Sequence, residues 1–183
     1  MASFERPNDP NFPPSPWILR WARLIPRGGR VLDLACGHGR HTVALAGLGH
    51  PVLAADIDIA AVPPLAGVEP LAVDLETGAW PFAGQTFAGI VMTNYCHRPH
   101  FPHLIASLAD GGVLLIETFG QGNEKFGRPR NPDFLLAPGE LLRALDGLQI
   151  VAYEHGSEQV PRPAVRQRLC AIKSDTPVML HDV

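Results

Sequence analysis

The stretch Val31-Leu-Asp-Leu-Ala-Cys-Gly-His-Gly-Arg40 limits the chain to few folds. It opens as a short apolar run, Val31 to Ala35, of the kind that fits a strand buried on both faces. It ends in Gly37-His38-Gly39, where absent Cβ atoms let the backbone turn sharply and approach a ligand closely. His41 to Leu48 then reads as a helix, with Val43, Ala44 and Leu48 on one side. A second apolar run, Val52 to Ala55, closes on Asp56. Strand, glycine turn, helix and strand make one unit. In open α/β sheets such a turn lies at the carboxyl edge of the first strand, where ligands bind.

The acid ending the second strand is placed to accept hydrogen bonds from ribose hydroxyls; the plainer alternative is an exposed acid at a strand end. A dinucleotide fingerprint needs a third glycine three residues after the second. That position holds Thr42, which argues against a nicotinamide or flavin cofactor.

The same pattern continues down the chain. Ser15 and Pro16 suit the start of a helix carrying Trp17, Ile18, Trp21, Leu24 and Ile25 at helical spacing. Strands are predicted at Arg30–Ala35, Val52–Asp56, Glu69–Val73, Phe87–Thr93, Val113–Phe119, Leu148–Glu154 and Ala164–Lys173. Helices are predicted over His38–Leu48, Pro102–Leu108 and Glu140–Leu145, with a short one after Asp56 that Pro63-Pro64 stops. Glu76 to Thr86 reads as loop, as do residues 120–137, a length that often marks a functional lid. Alternating strands and helices imply a mostly parallel sheet covered on both faces. The sixth and seventh strands lack an intervening helix and should pair antiparallel, since a parallel link needs a crossover. We expect an irregular segment over 1–14 and a single domain over 15–183.

Composition narrows the function. The 183 residues carry a net charge of −3, which weighs against nucleic acid as an obligatory partner without excluding it. Residues 125–173 are net basic and the rest net acidic; this favours an anionic substrate, or serves surface solubility. No apolar run approaches the roughly 20 residues of a membrane span, and the first residues lack the apolar core of a signal peptide, so a cytoplasmic protein is expected. Cys36, Cys96 and Cys170 form no CxxC and suit reduced thiols.

Val31 to Arg40, followed by Leu45-Ala-Gly-Leu-Gly-His-Pro-Val-Leu-Ala-Ala-Asp56, resembles the first two motifs of the class I S-adenosylmethionine-dependent methyltransferases. Within that family it is similar to the small tellurite-resistance-type and thiopurine-type branch. The resemblance runs from about Trp17 onward and implies a Rossmann-like, doubly wound seven-stranded sheet of order 3-2-1-4-5-7-6 with strand 7 antiparallel. It implies S-adenosylmethionine as cofactor and S-adenosylhomocysteine as product. By the same resemblance Cys36, Gly37 and Gly39 border the methionine part, Asp33 supports the turn and the amino group, and Arg40 lies near the carboxylate. Asp56 accepts the ribose hydroxyls, Ile57 flanks the adenine, and Asp74 with the Leu75 backbone N–H reaches its edge; Asp74 is equally suited to cap the following turn. Trp17 borders the pocket in related enzymes.

Related enzymes place cofactor-contacting and substrate-facing residues at the end of strand 4, so the resemblance makes Asn94 a cofactor-site candidate as well. Asn94 and Tyr95 depart from the small or apolar residues usual in the branch, and an amide beside the methyl donor suits positioning of an acceptor. Asn94 lacks the Pro-Pro-Tyr or Pro-Pro-Phe of amino-methylating DNA, RNA and glutamine enzymes. His97, His100 and His103 recur every three residues; His97, nearest the strand end, is the candidate base, and no metal is expected. Arg128 and Arg130, in the long loop, either clamp an anionic acceptor or are solvated. The expected reaction is methyl transfer to a small molecule. The alternatives are an RNA or protein acceptor, or a binding module without turnover.

Overall fold

The computed structural model describes residues 12–179. Most of the 1–14 segment therefore lies outside the described residues. Seven strands run β1 (Val31–Leu34), β2 (Val52–Asp56), β3 (Val68–Ala72), β4 (Phe87–Thr93), β5 (Leu108–Phe119), β6 (Gln149–Glu158) and β7 (Ala164–Ile172). The helices are α1 (Pro16–Trp21), α2 (Arg40–Gly47), α3 (Phe101–Ala106) and α4 (Glu140–Ala144). The strands form one sheet in the order β3-β2-β1-β4-β5-β7-β6. β1 pairs in parallel with β2 and β4, and β7 pairs antiparallel with both β5 and β6. This is the expected order, closed by the expected hairpin.

Side-chain alternation builds two cores from one set of strands. Leu32, Leu34, Leu53, Ile90, Met92, Leu114, Ile116 and Leu169 face one side, with Phe101, Leu104, Leu141 and Leu145 packed on them. Val31, Val52, Val91, Val113, Leu115 and Cys170 face the other, under Trp17, Ile18, Trp21 and Leu45. The unbroken apolar runs of the inner strands follow from this double covering. α1 starts as expected: the Ser15 hydroxyl accepts from the Trp17 N–H at 3.2 Å, and Pro16 fills the first turn.

Four elements differ from expectation. No helix follows β2; Val62 N–H closes a turn on the Ile59 carbonyl, and Pro63-Pro64 follows before a helix can nucleate. α2 begins at Arg40 rather than His38, because Gly39 holds a left-handed conformation (φ 77°) that cannot lie inside a right-handed helix. β5 starts five residues early: Leu108 pairs with Phe87 and Val113 with Gly89, so Ala109–Gly112 bulge out of the ladder. β6 runs on to Glu158, held by β7.

The loop over Glu76–Thr86 has no helix, yet it closes one face of the sheet. Trp80 and Phe82 are buried there, and the Trp80 indole N–H donates to the Ser107 hydroxyl at 3.0 Å. Among the described residues no helix is long and apolar enough to cross a membrane.

Candidate active site

The parallel strands β1, β2 and β4 end side by side, and their carboxyl ends open into a cleft of about 350 Å³. Its walls include Cys36, Gly37, His38 and Arg40 from the turn after β1, Asp56 and Ile57 from the end of β2, and Asn94 and Tyr95 after β4. A second lobe of about 410 Å³ adjoins it across Ala35, Asp56, Ile57 and Tyr95 and reaches Asp74 and Leu75 after β3. Eight of the ten cofactor-site candidates thus line these two lobes: Cys36, Gly37, Arg40, Asp56, Ile57, Asp74, Leu75 and Asn94. Gly39 and Asp33 do not; Asp33 lies beneath the turn with only 1% of its surface exposed.

Backbone geometry shapes the turn. Gly37 takes φ 56°, and a Cβ there would meet no atom within 4 Å. A Cβ on Gly39 would come within 3.3 Å of the Pro63 ring. Among the described residues, two other than glycine also adopt positive φ, Ala35 (56°) and Asn94 (54°), both at the cleft. Asparagine tolerates this region; alanine is strained in it, and such strain gathers at sites whose surroundings hold it in place.

Asp56 ties the turn to the second strand. Its Oδ2 accepts from the Gly37 N–H at 2.8 Å and its Oδ1 from the Asp58 N–H at 3.2 Å. A carboxylate offers about four acceptor sites, so each oxygen keeps capacity for a further donor. Ile57 is 70% exposed, an apolar side chain left at the cleft rim. Asp74 lines the second lobe and also caps its turn, accepting from the Glu76 N–H at 2.9 Å. The turn-capping reading of Asp74 therefore holds; that backbone hydrogen bond, with help from Thr77, lowers its pKa.

Asp33 receives the Thr42 hydroxyl on Oδ2 at 2.6 Å, while its Oδ1 has no partner among the described residues. Thr42, which blocks a dinucleotide fingerprint, here fastens α2 to β1. Burial raises the Asp33 pKa to about 6, against the Thr42 bond and the nearby Arg40 charge. The folded state then holds the proton more tightly than the unfolded chain, so stability falls as pH rises from about 4 to 6. Asp33→Asn keeps an accepting oxygen for Thr42 and removes the buried charge. We expect it to stabilise the fold at pH 8 by on the order of 2–3 kcal/mol, with the gain vanishing near pH 4. Thermal denaturation at the two pH values measures this.

Arg40 forms the wall between the cleft after β1 and a third space of about 580 Å³ bordered by Phe12–Trp17, Glu117, Arg166 and Arg168. Its Nη1 donates to the Pro13 carbonyl at 3.0 Å, and its guanidinium lies 5.0 Å from the centre of the Phe12 ring. Trp17 borders this third space and not the cleft after β1. Beneath it Ser15 is tied twice: its N–H donates to His41 Nε2 at 3.0 Å and its hydroxyl to Glu117 at 2.7 Å. Burial lowers the His41 pKa to about 3, which keeps the ring neutral and able to accept.

Asn94 is held from behind. Its Oδ1 accepts from Arg166 at 2.9 Å, and its N–H donates to the Glu117 carbonyl at 2.8 Å. Arg166 also donates to Glu158 at 2.6 Å, and Arg168 donates to Glu117 at 2.7 Å. This buried network was not legible beforehand. Arg166 and Arg168 share one face of β7 by their spacing of two, but nothing local marks β7 as the neighbour of β5 and Glu117.

The Tyr95 hydroxyl is buried without a partner among the described residues. Burial, reinforced by Glu76 and Asp74, raises its pKa and keeps the phenol protonated. His97 does not line the clefts around β1 and β4. Cys96 is turned into the core, and Arg98 is pinned to Glu140 at 2.6 Å, so the chain between them swings away. The His97 ring instead lies 4.5 Å from His100, and His103 stacks on Trp80 at 5.4 Å. The structure thus gives no support to His97 as a base. No group of three or more His, Cys, Asp or Glu among the described residues is placed to hold a metal.

A methyltransferase-domain family model matches residues 13–159. A tRNA U34 carboxymethyltransferase of Methylococcus capsulatus is 34% identical over an alignment of 119 residues, with coverage of 55% of this chain and 36% of that protein. The match therefore spans little more than a third of that relative. Among solved structures, TehB from Haemophilus influenzae superposes with a TM-score of 0.69 at 17% identity, covering 85% of this chain and 61% of that one. The 1,6-didemethyltoxoflavin-N1-methyltransferase of Burkholderia thailandensis gives 0.64 at 22% identity, covering 86% and 78%. At such identities the superpositions speak for the fold, and the family match speaks for the chemistry. With the sheet order, the glycine turn and the acid after β2 all in place, the chain belongs to the methyltransferase-domain family, the class I S-adenosylmethionine-dependent enzymes that its first two motifs resemble.

Proposed function

We propose that the joined lobes at β1, β2 and β4 hold S-adenosylmethionine and that the enzyme methylates a small-molecule acceptor. The carrying observation is Asp56, whose carboxylate sits where the two lobes meet and grips the Gly37 N–H. The remaining acceptor capacity of Asp56 serves the ribose hydroxyls. The open space beside Gly37 admits the methionine part. Arg40 supplies a cation at one end, Asp33 a buried acid under the turn. Ile57 and Leu75 offer apolar surface beside Asp74 for the adenine.

When bound, S-adenosylmethionine supplies a methyl cation equivalent: the acceptor's lone pair bonds the methyl carbon while the carbon–sulfur pair returns to sulfur. The protein's task is alignment and exclusion of water, and orientation alone can lower a barrier by roughly 7–11 kcal/mol. Asn94, fixed through Oδ1 by Arg166, presents its amide nitrogen as a donor at the cleft wall. Tyr95 keeps its proton and acts as a donor, not a base. The acceptor's proton passes to solvent. We further propose that residues 15–183 act as one domain.

Calorimetric titration with S-adenosylmethionine, S-adenosylhomocysteine and NAD tests this reading. The first two should bind and NAD should not; NAD binding with no response to S-adenosylhomocysteine would overturn it. An RNA acceptor is the second reading, favoured by the 34% identity to a protein named for tRNA U34. Under that reading, binding of a tRNA to the protein should fall steeply with salt.

A further inference from the structure

A further cleft, of about 640 Å³, lies between the end of β4 and the long loop over 120–137. It meets the donor cleft at Asn94 and Tyr95, which line both. An acceptor here is therefore next to the methyl donor, as direct transfer requires. The volume is that of a small-molecule site.

The lining has two characters. Tyr95 and Phe134 give it aromatic surface, and Phe134 is left 39% exposed on the loop; Phe119 also lines it but is only 3% exposed. Arg128 and Arg130 give it two guanidinium groups, against a single carboxylate from Glu76. Neither arginine takes part in an ion pair or hydrogen bond among the described residues. Arg98 is the contrast. It pairs with both Glu140 oxygens and donates to the carbonyls of Asp133 and Leu135, which anchors the root of the same loop. The loop is thus held in place by one arginine while two others stand uncommitted at the cleft.

The space beside Arg40 is a poorer acceptor site. Its Arg166 and Arg168 are already matched by Glu117, Glu154 and Glu158, and it touches the donor cleft only at Arg40.

Building on the donor reading of the neighbouring cleft, we propose that the acceptor is a planar aromatic anion. Its ring packs against Phe134, its oxyanion is met by Arg128 and Arg130, and its nucleophilic ring substituent faces the Asn94–Tyr95 boundary. Guanidinium groups bind carboxylate and similar oxyanions through paired hydrogen bonds, and aromatic walls select flat partners. The substituent gives its lone pair to the methyl carbon and its proton to solvent.

Calorimetry on the full chain saturated with S-adenosylhomocysteine, with 2-naphthoate as probe, tests the assignment. It should bind at least 10-fold tighter than 2-naphthamide, which lacks the charge, and than cyclohexanecarboxylate, which lacks the flat ring. The double variant Arg128→Gln/Arg130→Gln should lose at least 10-fold for 2-naphthoate, change little for 2-naphthamide, and bind S-adenosylhomocysteine as before. Equal affinity for the three probes, or 2-naphthoate binding unchanged in the double variant, would overturn the proposal. So would a tRNA that binds through these arginines while 2-naphthoate does not. Should S-adenosylhomocysteine itself fail to bind the unaltered chain, the donor reading falls and the acceptor assignment with it. Should it bind while 2-naphthoate fails, only the acceptor assignment falls.

Discussion

Asp56→Ala is expected to weaken S-adenosylhomocysteine binding by about 100-fold or more while the chain stays folded. The substitution removes the acceptor at the meeting point of the two lobes and strands the Gly37 N–H that Asp56 now satisfies. Hydrogen bonds to a charged group contribute about 1.5–3 kcal/mol each. Losing two costs roughly 3–6 kcal/mol, or about two to four orders of magnitude in affinity. Asp56 is only partly buried and ends an otherwise intact strand, so the sheet should survive. Asp56→Asn keeps one accepting oxygen and loses the charge, and should fall between. Titration calorimetry with far-UV circular dichroism as the folding check reads both. A loss below 10-fold for Asp56→Ala would remove Asp56 from the donor site.

Glu117→Ala should be the most destabilising single change near the cleft. Glu117 is buried at the end of β5 and receives Arg168 at 2.7 Å and the Ser15 hydroxyl at 2.7 Å, with Arg166 at 3.8 Å. Removing it leaves two guanidinium groups close together, with Glu158 as their main remaining counter-ion. Breaking a buried pair from one side costs about 3–5 kcal/mol. Chemical denaturation measures it. The pH dependence supplies a second reading. Burial works against the Glu117 charge, but Arg166, Arg168 and Ser15 outweigh it and hold the carboxyl below its usual 4.5. A lowered folded pKa means the stabilisation is complete above about pH 4.5 and is lost as pH falls through the folded value. The acid limb of the stability curve should therefore be shallower in Glu117→Ala than in the parent chain. Because Glu117 and Arg166 also steady Asn94, methyl transfer should drop with stability.

The sequence stated its sheet plainly. Apolar runs such as Val52–Ala55 and Val113–Ile116 are long enough, and free enough of polar breaks, to mark strands covered on both faces. The hairpin of β6 and β7 was readable because too few residues separate them for a crossover. Gly37 and Gly39 announced a turn through left-handed backbone that other residues rarely adopt, and Asp56 announced itself by ending a strand beside it. Such signals are local: each depends on residues within one or two elements.

The loop over Glu76–Thr86 was less transparent. Its glycines and proline correctly ruled out a helix, but they gave no sign that Trp80 and Phe82 would seal a core face. His97 misled for a related reason. Its distance along the chain from the end of β4 is short, yet Arg98 reaches Glu140, 42 positions away, and turns the backbone from the cleft.

What the sequence determined by itself was the order of buried strands, the sharp turn after the first and the acid after the second, since periodicity and missing Cβ atoms act over a few residues. Only the tertiary structure decided that Arg166 would grip Asn94, that Thr42 would fasten Asp33, and that Arg128 and Arg130 would stand at the cleft without an ion pair among the described residues. Those outcomes depend on which charged groups meet across the sheet. Long flexible side chains find partners by spatial proximity, and no spacing along the chain encodes that.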